Sequence, residues 1–165
     1  MAFILEEDWA EAEKALEHSL ALMREASVGL LSECDTLSLL ARVHAARGEG
    51  SVARATAEEG VAAAQMRKSI SSEVDAQLSL AHVLLAAGNL DDRGAIESAL
   101  DRAAECVGIT GTRSHLPQIG VERAKLARLE GDEAGRERHL REAHRLFTEI
   151  GATGHAERVA TELEL

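Results

Sequence analysis

SECDTLSLLARVHAARG, residues 32–48, recurs as SEVDAQLSLAHVLLAAG, residues 72–88. The two copies are 40 residues apart and share eight identical positions, including the glycine that closes each copy. A third copy follows at a longer offset, because Gly88 recurs 43 residues later as Gly131. Repeats of this length are typical of stacked supersecondary units, each of which buries its apolar face against its neighbours.

The composition of the chain favours helices. Its 165 residues are 45% hydrophobic but only 2% aromatic, and Pro117 is the only proline. Alanine, leucine, glutamate and arginine are strong helix formers, and they are abundant here. Apolar residues follow one another at steps of three and four, as in Trp9, Ala12, Leu16 and Leu20, which places each set on one helix face. We therefore expect an all-α protein, which excludes a β-sandwich or a β-barrel.

Small polar residues and glycines mark where the helices begin and end. The motif Ser-x-x-Asp resembles a capping box, and it predicts Ser32 and Ser72 as N-caps. Gly48, Gly88 and Gly131 are each predicted to end a helix. The resulting map is a single domain, 1–165, of about eight helices: a half repeat at 5–27, repeats at 33–68, 72–107 and 114–150, and a capping helix at 153–163.

The spacing of these marks resembles that of tetratricopeptide repeats. In the first two repeats, a Leu-Ala pair precedes the glycine that closes the first helix. The second helices keep a small-large-small stripe such as Ile96-x-x-x-Leu100-x-x-Ala103. Residues 140–159, LREAHRLFTEIGATGHAERV, are similar to the closing segment of a longer-helix variety found in bacterial multidomain signal-transduction regulators. The period of 40 to 43 exceeds the family's usual length of about 34 residues, and most of its aromatic positions are absent. The resemblance implies a right-handed α-solenoid of antiparallel helix pairs, a TPR-like domain.

Net charge and cysteine content exclude several classes of partner. A formal charge of −11 repels phosphate backbones, so we expect no nucleic-acid partner. Cys34 and Cys106 are too far apart to indicate a disulfide framework or a metal-ligand spacing, which favours buried thiols in a reducing compartment. No stretch approaches the length of a membrane span, and the apolar start of the chain is too short for a signal peptide. We therefore expect no membrane partner and a cytoplasmic protein.

No catalytic template fits the chain. It holds no Gly-rich phosphate loop with a following lysine, no Gly-x-Ser-x-Gly elbow and no His-Glu-x-x-His pair. His139 and His144 are five residues apart and fall on different helix faces. Adjacent acids such as Asp91 and Asp92 stand at a helix start, where they offset the macrodipole. The sequence therefore predicts no enzyme activity, no catalytic residue, no cofactor and no metal site.

A column of cations on the first helices of the repeats is the strongest candidate for a binding surface. Arg42, His82 and Lys125 occupy matching positions under the two offsets, and in repeats of the tetratricopeptide type this face lines the concave surface. The competing interpretation is a solvated face with local ion pairs. As a binding surface, the column suits a carboxylate-rich peptide or helix. The contact residues predicted around it are Ser38, Leu78, Leu85, Val121 and Arg128.

Two functions are compatible with these observations. We predict a non-catalytic protein–protein interaction scaffold that binds a protein or peptide on the concave helix face. The alternative is a ligand-sensing regulatory domain of a larger bacterial signalling or transcription regulator, in which a small effector binds between repeats. The first helix has no partner helix before it in this sequence, so its apolar stripe indicates either an excerpt from a longer helical array or a second molecule that covers the stripe. Of the two we predict a homo-oligomer formed through Phe3, Trp9 and Leu16.

Overall fold

The computed structural model describes residues 9–26 and 30–164, and within these ranges it contains no β-strand. Two single-turn 3-10 helices, Leu90–Asp92 and Arg113–His115, precede the fifth and sixth α-helices. The described residues form eight α-helices: α1 Trp9–Ala26, α2 Leu30–Ala46, α3 Gly50–Met66, α4 Ile70–Ala87, α5 Arg93–Thr110, α6 Leu116–Glu130, α7 Glu133–Glu149 and α8 Thr153–Glu162.

The predicted all-α class and helix number are confirmed over the described residues. From α2 onward each helix begins within three residues of its predicted start, whereas predicted residues 5–8 lie outside the described part of the chain. Gly48, Gly88 and Gly131 have φ angles of 79°, 67° and 77°, the left-handed conformation that ends a helix at little cost only for glycine. Among the described helices, none is both long and apolar enough to cross a bilayer.

The two predicted N-caps are wrong. Ser32 and Ser72 both lie inside the first turn of their helices, because α2 begins at Leu30 and α4 at Ile70. The residue that caps α4 is Ser69, whose Oγ accepts a hydrogen bond from the backbone N–H of Ser72 at 3.4 Å. The Ser-x-x-Ser spacing here places an acceptor three residues before a free amide, which is the same chemistry one turn earlier.

The cap of α7 is a stronger one and gives a test of the helix boundaries. Asp132 Oδ1 accepts from the backbone N–H of Gly135 at 2.9 Å. We expect Asp132→Ala to lower the free energy of unfolding by about 1 kcal/mol, because it leaves an N-terminal amide without its acceptor. Ser69→Ala should cost less, because its bond is longer. Urea denaturation of both variants measures the difference. A larger loss of unfolding free energy for Ser69→Ala would contradict the conclusion that Asp132 is the stronger cap.

Helix packing follows the order of the chain. Contacts are most extensive within the pairs α2–α3, α4–α5 and α6–α7. The first helices of these pairs also contact one another, α2 against α4 and α4 against α6. Matching positions of α2, α4 and α6 are therefore brought together on one side of the molecule.

The core consists of apolar clusters between neighbouring helices. One cluster joins α4, α5 and α6 around Leu78 and Leu100, a second joins α1 to α4 around Leu37, and a third joins α6, α7 and α8 around Leu140 and Phe147. All five side chains are at most 3% exposed. Full burial of a side chain of this size contributes about 1.5–3 kcal/mol, so each junction between helices is stabilised locally.

The two cysteines are buried thiols, as predicted. Cys34 and Cys106 are both 0% exposed and unpaired. Burial raises the pKa of each thiol, which keeps it protonated. Both side chains therefore act as small apolar residues of the core rather than as nucleophiles.

A cationic groove as the candidate functional site

Three adjoining cavities lie along the face formed by α2, α4 and α6, and His82 lines all of them. Their volumes are about 380, 270 and 300 Å³. Arg42 is shared by two of the cavities, and Lys125 is shared by two. We call this surface the cationic groove; its charged and histidine residues are Arg42, His82, Glu122, Lys125, Arg128, His155, Arg158 and Glu162.

The structure brings most of the predicted contact residues together. Those that line the groove are Arg42, Leu78, His82, Leu85, Val121, Lys125 and Arg128. Ser38 does not line it. Its side chain is buried, and its Oγ donates to the carbonyl oxygen of Cys34 at 2.9 Å within α2. The carbonyl oxygen of Ser38 accepts from Ser79 Oγ at 2.7 Å, so this residue fixes α2 against α4.

A buried carboxylate, Glu122, lies at the centre of the groove. One of its oxygens, Oε1, accepts from Lys125 Nζ at 2.9 Å and lies 3.1 Å from His82 Nδ1. Its other oxygen, Oε2, is buried without a hydrogen-bond partner among the described residues. Burial by itself raises the pKa of Glu122, but the hydrogen bond to His82 and the charge of Lys125 outweigh it and hold the pKa below its ordinary value. Two members of the predicted cationic column are therefore anchored on an anion.

The sequence interpretation missed Glu122, although a signal for it was present. The offset of 40 that relates the first two repeats, applied to His82, leads to residue 122, whereas the offset of 43 leads to Lys125. Both residues lie one turn apart on α6, and the imidazole contacts both. The repeat thus predicts that His82 lies near both residues, the one at an offset of 40 and the one at an offset of 43.

Two arginines of the groove have neither a hydrogen bond nor an ion pair to any described residue. Arg42 and Arg128 are exposed, and over the described part of the chain neither makes a hydrogen bond or an ion pair. Arg42 lies on α2, whereas Arg128 lies on α6, the helix that also carries Glu122 and Lys125. A free guanidinium presents several donors in a planar fork that matches a carboxylate. The groove therefore has unused capacity for anions on a protein of net charge −11.

The last two helices contribute residues that the sequence interpretation also missed. Phe147 of α7 stacks on His155 of α8, with ring centroids 5.0 Å apart. Arg158 Nη2 lies 3.3 Å from His155 Nδ1, and no described carboxylate pairs with Arg158. Together with Val159 these residues line the 270 Å³ cavity. Their contribution depends on how α8 packs back on α6, which no local pattern encodes.

A larger cavity of about 490 Å³ lies between α5, α6 and α7, but its charges are already satisfied within the protein. Arg123 Nη2 lies 2.8 Å from Asp101 Oδ1, and Arg93 Nε lies 2.7 Å from Glu130 Oε1. The carboxylate of Asp132 caps α7. The cationic groove differs because two of its arginines have no partner within residues 9–26 and 30–164, so it is the better candidate for a binding site.

The residues predicted to mediate self-association lie mostly against the protein itself. Phe3 is outside the described residues. Leu16 packs on the cluster shared with α2, and Ala12 and Leu20 of the same stripe are buried. Trp9 is half-buried and lines a cavity of the groove. The stripe is therefore covered in part by α2, and homo-oligomerisation through α1 stays a prediction.

No protein-family model matches the sequence, and no curated protein matches it.

Proposed function

We propose that the chain is a TPR-like helical-repeat scaffold, a right-handed stack of antiparallel helix pairs, that binds an acidic protein or peptide segment in the cationic groove. It acts without catalysis and in the cytoplasm. The observation that carries the proposal is the pair of unpaired guanidinium groups, Arg42 and Arg128, each of which lines a cavity together with members of the buried Glu122 cluster. An acidic segment supplies the carboxylates that these groups lack.

The excess of positive over negative charges in the groove supports an acidic partner. The groove holds four permanent cations (Arg42, Lys125, Arg128 and Arg158) and two carboxylates, whereas the whole chain carries a net charge of −11. A local excess of positive charge on an acidic protein attracts anionic segments and repels basic ones. Because the arginines are exposed, they contribute more to the association rate and to selectivity than to the final affinity.

The floor of the groove supplies the apolar component that an acidic peptide needs for stable binding. Leu78, Val121, Phe147 and Val159 line its central cavity, and Leu85 lines the adjacent one. These side chains are held by the core clusters, so little ordering is required when a partner binds. We expect the bound segment to combine carboxylates with one or two apolar anchors.

Charge reversal of the two free arginines tests the proposal. We expect the double variant Arg42→Glu, Arg128→Glu to bind a labelled Glu- and Leu-rich peptide at least about tenfold more weakly, a loss of about 1.4 kcal/mol. The reason is that each substitution replaces a donor for a carboxylate by a like charge. Fluorescence anisotropy of the peptide measures the affinity, and added salt should weaken binding to the wild type. Lys125 is left unchanged, because its loss would leave Glu122 buried beside one partner only.

A matched control places the same change in charge elsewhere. Arg138 and Arg141 are exposed on α7, outside the groove, and their reversal should leave peptide binding unchanged. Equal affinity of the groove variant and the wild type would contradict the proposal. Binding of free glutamate as tightly as of the peptide would favour the ligand-sensing alternative, in which a small effector occupies the central cavity between repeats.

A further inference from the structure

Three potential metal ligands converge at the junction of α1, α2 and the turn before α3. Glu13 lies on α1, His44 on α2, and Glu49 in the turn between α2 and α3. Within the described residues, these three form a group of potential metal ligands whose donor atoms all lie within 4.8 Å of one another. His44 Nδ1 is 2.8 Å from Glu49 Oε2 and 3.4 Å from Glu13 Oε1. The imidazole is buried, with 7% of the side chain exposed, so the cluster is not an exposed patch of acids.

One arginine orients both carboxylates toward this imidazole. Arg47 Nη1 contacts Glu13 Oε2, and Arg47 Nη2 lies 3.1 Å from Glu49 Oε1. These are the outer oxygens, so the guanidinium leaves the inner oxygens, Glu13 Oε1 and Glu49 Oε2, directed at His44 Nδ1. Hydrogen bonds to the carboxylate oxygens that do not face the metal fix the orientation of the ligands and are a regular feature of metal sites.

We propose that Glu13, His44 and Glu49 bind one divalent transition-metal ion of the zinc class. Zinc bonds of about 2.0–2.2 Å place neighbouring ligand atoms of a tetrahedron about 3.3–3.6 Å apart. The separation of Glu13 Oε1 from the imidazole nitrogen is 3.4 Å, and that of Glu49 Oε2 needs to lengthen by only about 0.5 Å. An imidazole ligand favours zinc over magnesium or calcium, which prefer oxygen alone. The fourth position is left to water.

The charge of the cluster is suited to a cation. With the imidazole neutral, two carboxylates and the Arg47 guanidinium leave one negative charge. Binding of a divalent ion changes the net charge of the cluster from −1 to +1 and forms three coordinate bonds. The ion would hold α1 against the end of α2. Sequence patterns do not predict this site, because Glu13 is separated from His44 by 31 residues and the spacing of His44 and Glu49 fits no metal motif.

A titration of the full chain with Zn²⁺ alone tests the proposal. By calorimetry we expect one ion to bind per chain, with a rise in Tm as the concentration of the ion increases. Glu13→Gln and Glu49→Gln should each weaken binding at least about tenfold, because each removes one charged ligand with nearly the same shape. Glu58→Gln is the matched control: Glu58 is an exposed acid of α3 paired with Arg54, and its loss should leave zinc binding unchanged.

The titration has three possible outcomes: zinc binds at the cluster, it binds elsewhere on the protein, or it does not bind. Stoichiometric binding that both ligand variants weaken supports the site. Zinc binding that persists unchanged in Glu13→Gln and Glu49→Gln would place the ion at other histidines and overturn the proposal. Absence of zinc binding in the wild type would also overturn it. Circular dichroism of the variants confirms that they are folded, because Gln retains the hydrogen-bonding capacity toward Arg47.

Discussion

Leu140→Ala is expected to lower the free energy of unfolding by about 2–5 kcal/mol. Leu140 is 1% exposed and packs with Phe147 and Val159 in the cluster that joins α6, α7 and α8. Its truncation removes apolar contacts and leaves a cavity that rigid helices fill only in part. A domain of this kind has a total stability of about 5–15 kcal/mol, so the loss is a large fraction of it. Urea denaturation followed by circular dichroism measures the change.

A pair of leucines provides the comparison for this variant. Leu22 of α1 is 50% exposed, and Leu22→Ala should change stability by less than about 0.5 kcal/mol. Leu80 is half-buried between two clusters, so Leu80→Ala should have an intermediate cost. A Leu140→Ala protein as stable as Leu22→Ala would show that α8 does not pack on α7 as described.

The agreement between sequence and structure is closest where a residue type has one physical role. Glycine at positions 48, 88 and 131 is needed for a left-handed residue, and each of these glycines ends a helix. The helix starts were less well predicted, because residues 69–72 contain three serines that are each able to cap a helix. Which of them does so depends on where Ile70 begins to pack against the core, and this is decided by tertiary contacts.

The groove likewise combines a feature that the sequence predicts with features that depend on tertiary packing. The cationic column was predictable, because repeat units place matching residues side by side. Its electrostatic state was not predictable, since the counter-ion Glu122 has the same local spacing as an ordinary surface acid, and its burial and its contact with His82 of α4 depend on tertiary packing. Arg158 and His155 join the groove through the packing of a terminal helix, which lies outside the repeat. The sequence thus indicates which helices share a face, and the structure identifies which charges remain free.

The same reasoning applies to a second buried acid, Glu73, which occurs at the repeat position of Glu33. Glu73 is 4% exposed, and its two oxygens accept from Arg102 Nε and Nη2, each at 2.9 Å. Gln65 Nε2 donates a third hydrogen bond at 3.1 Å. The hydrogen bonds from Arg102 outweigh the effect of burial and hold the pKa of Glu73 below its ordinary value of 4.5. A carboxylate in this environment depends on its partner to remain charged.

Arg102→Ala is therefore expected to destabilise the protein by about 2–3 kcal/mol, because it leaves a buried carboxylate with one hydrogen bond. Urea denaturation at neutral pH measures the loss. Arg141→Ala, which removes an exposed partner of Glu137, is the control and should have little effect. The double variant Glu73→Leu, Arg102→Leu should recover much of the loss, since no charge is then left unpaired. A double variant less stable than Arg102→Ala would contradict this account.

The pH dependence of stability separates the charge of Glu73 from the packing of Arg102. Glu73 binds its proton less readily in the folded than in the unfolded chain, so its contribution is complete above pH 4.5 and is lost as the pH falls through its lower folded value. In Arg102→Ala the hydrogen bonds that lower this pKa are gone, while burial, which raises it, remains. Stability should then fall less steeply on acidification than in the wild type. If the free energies of unfolding of the two proteins decrease in parallel between neutral and acidic pH, Arg102 acts through its packed side chain alone.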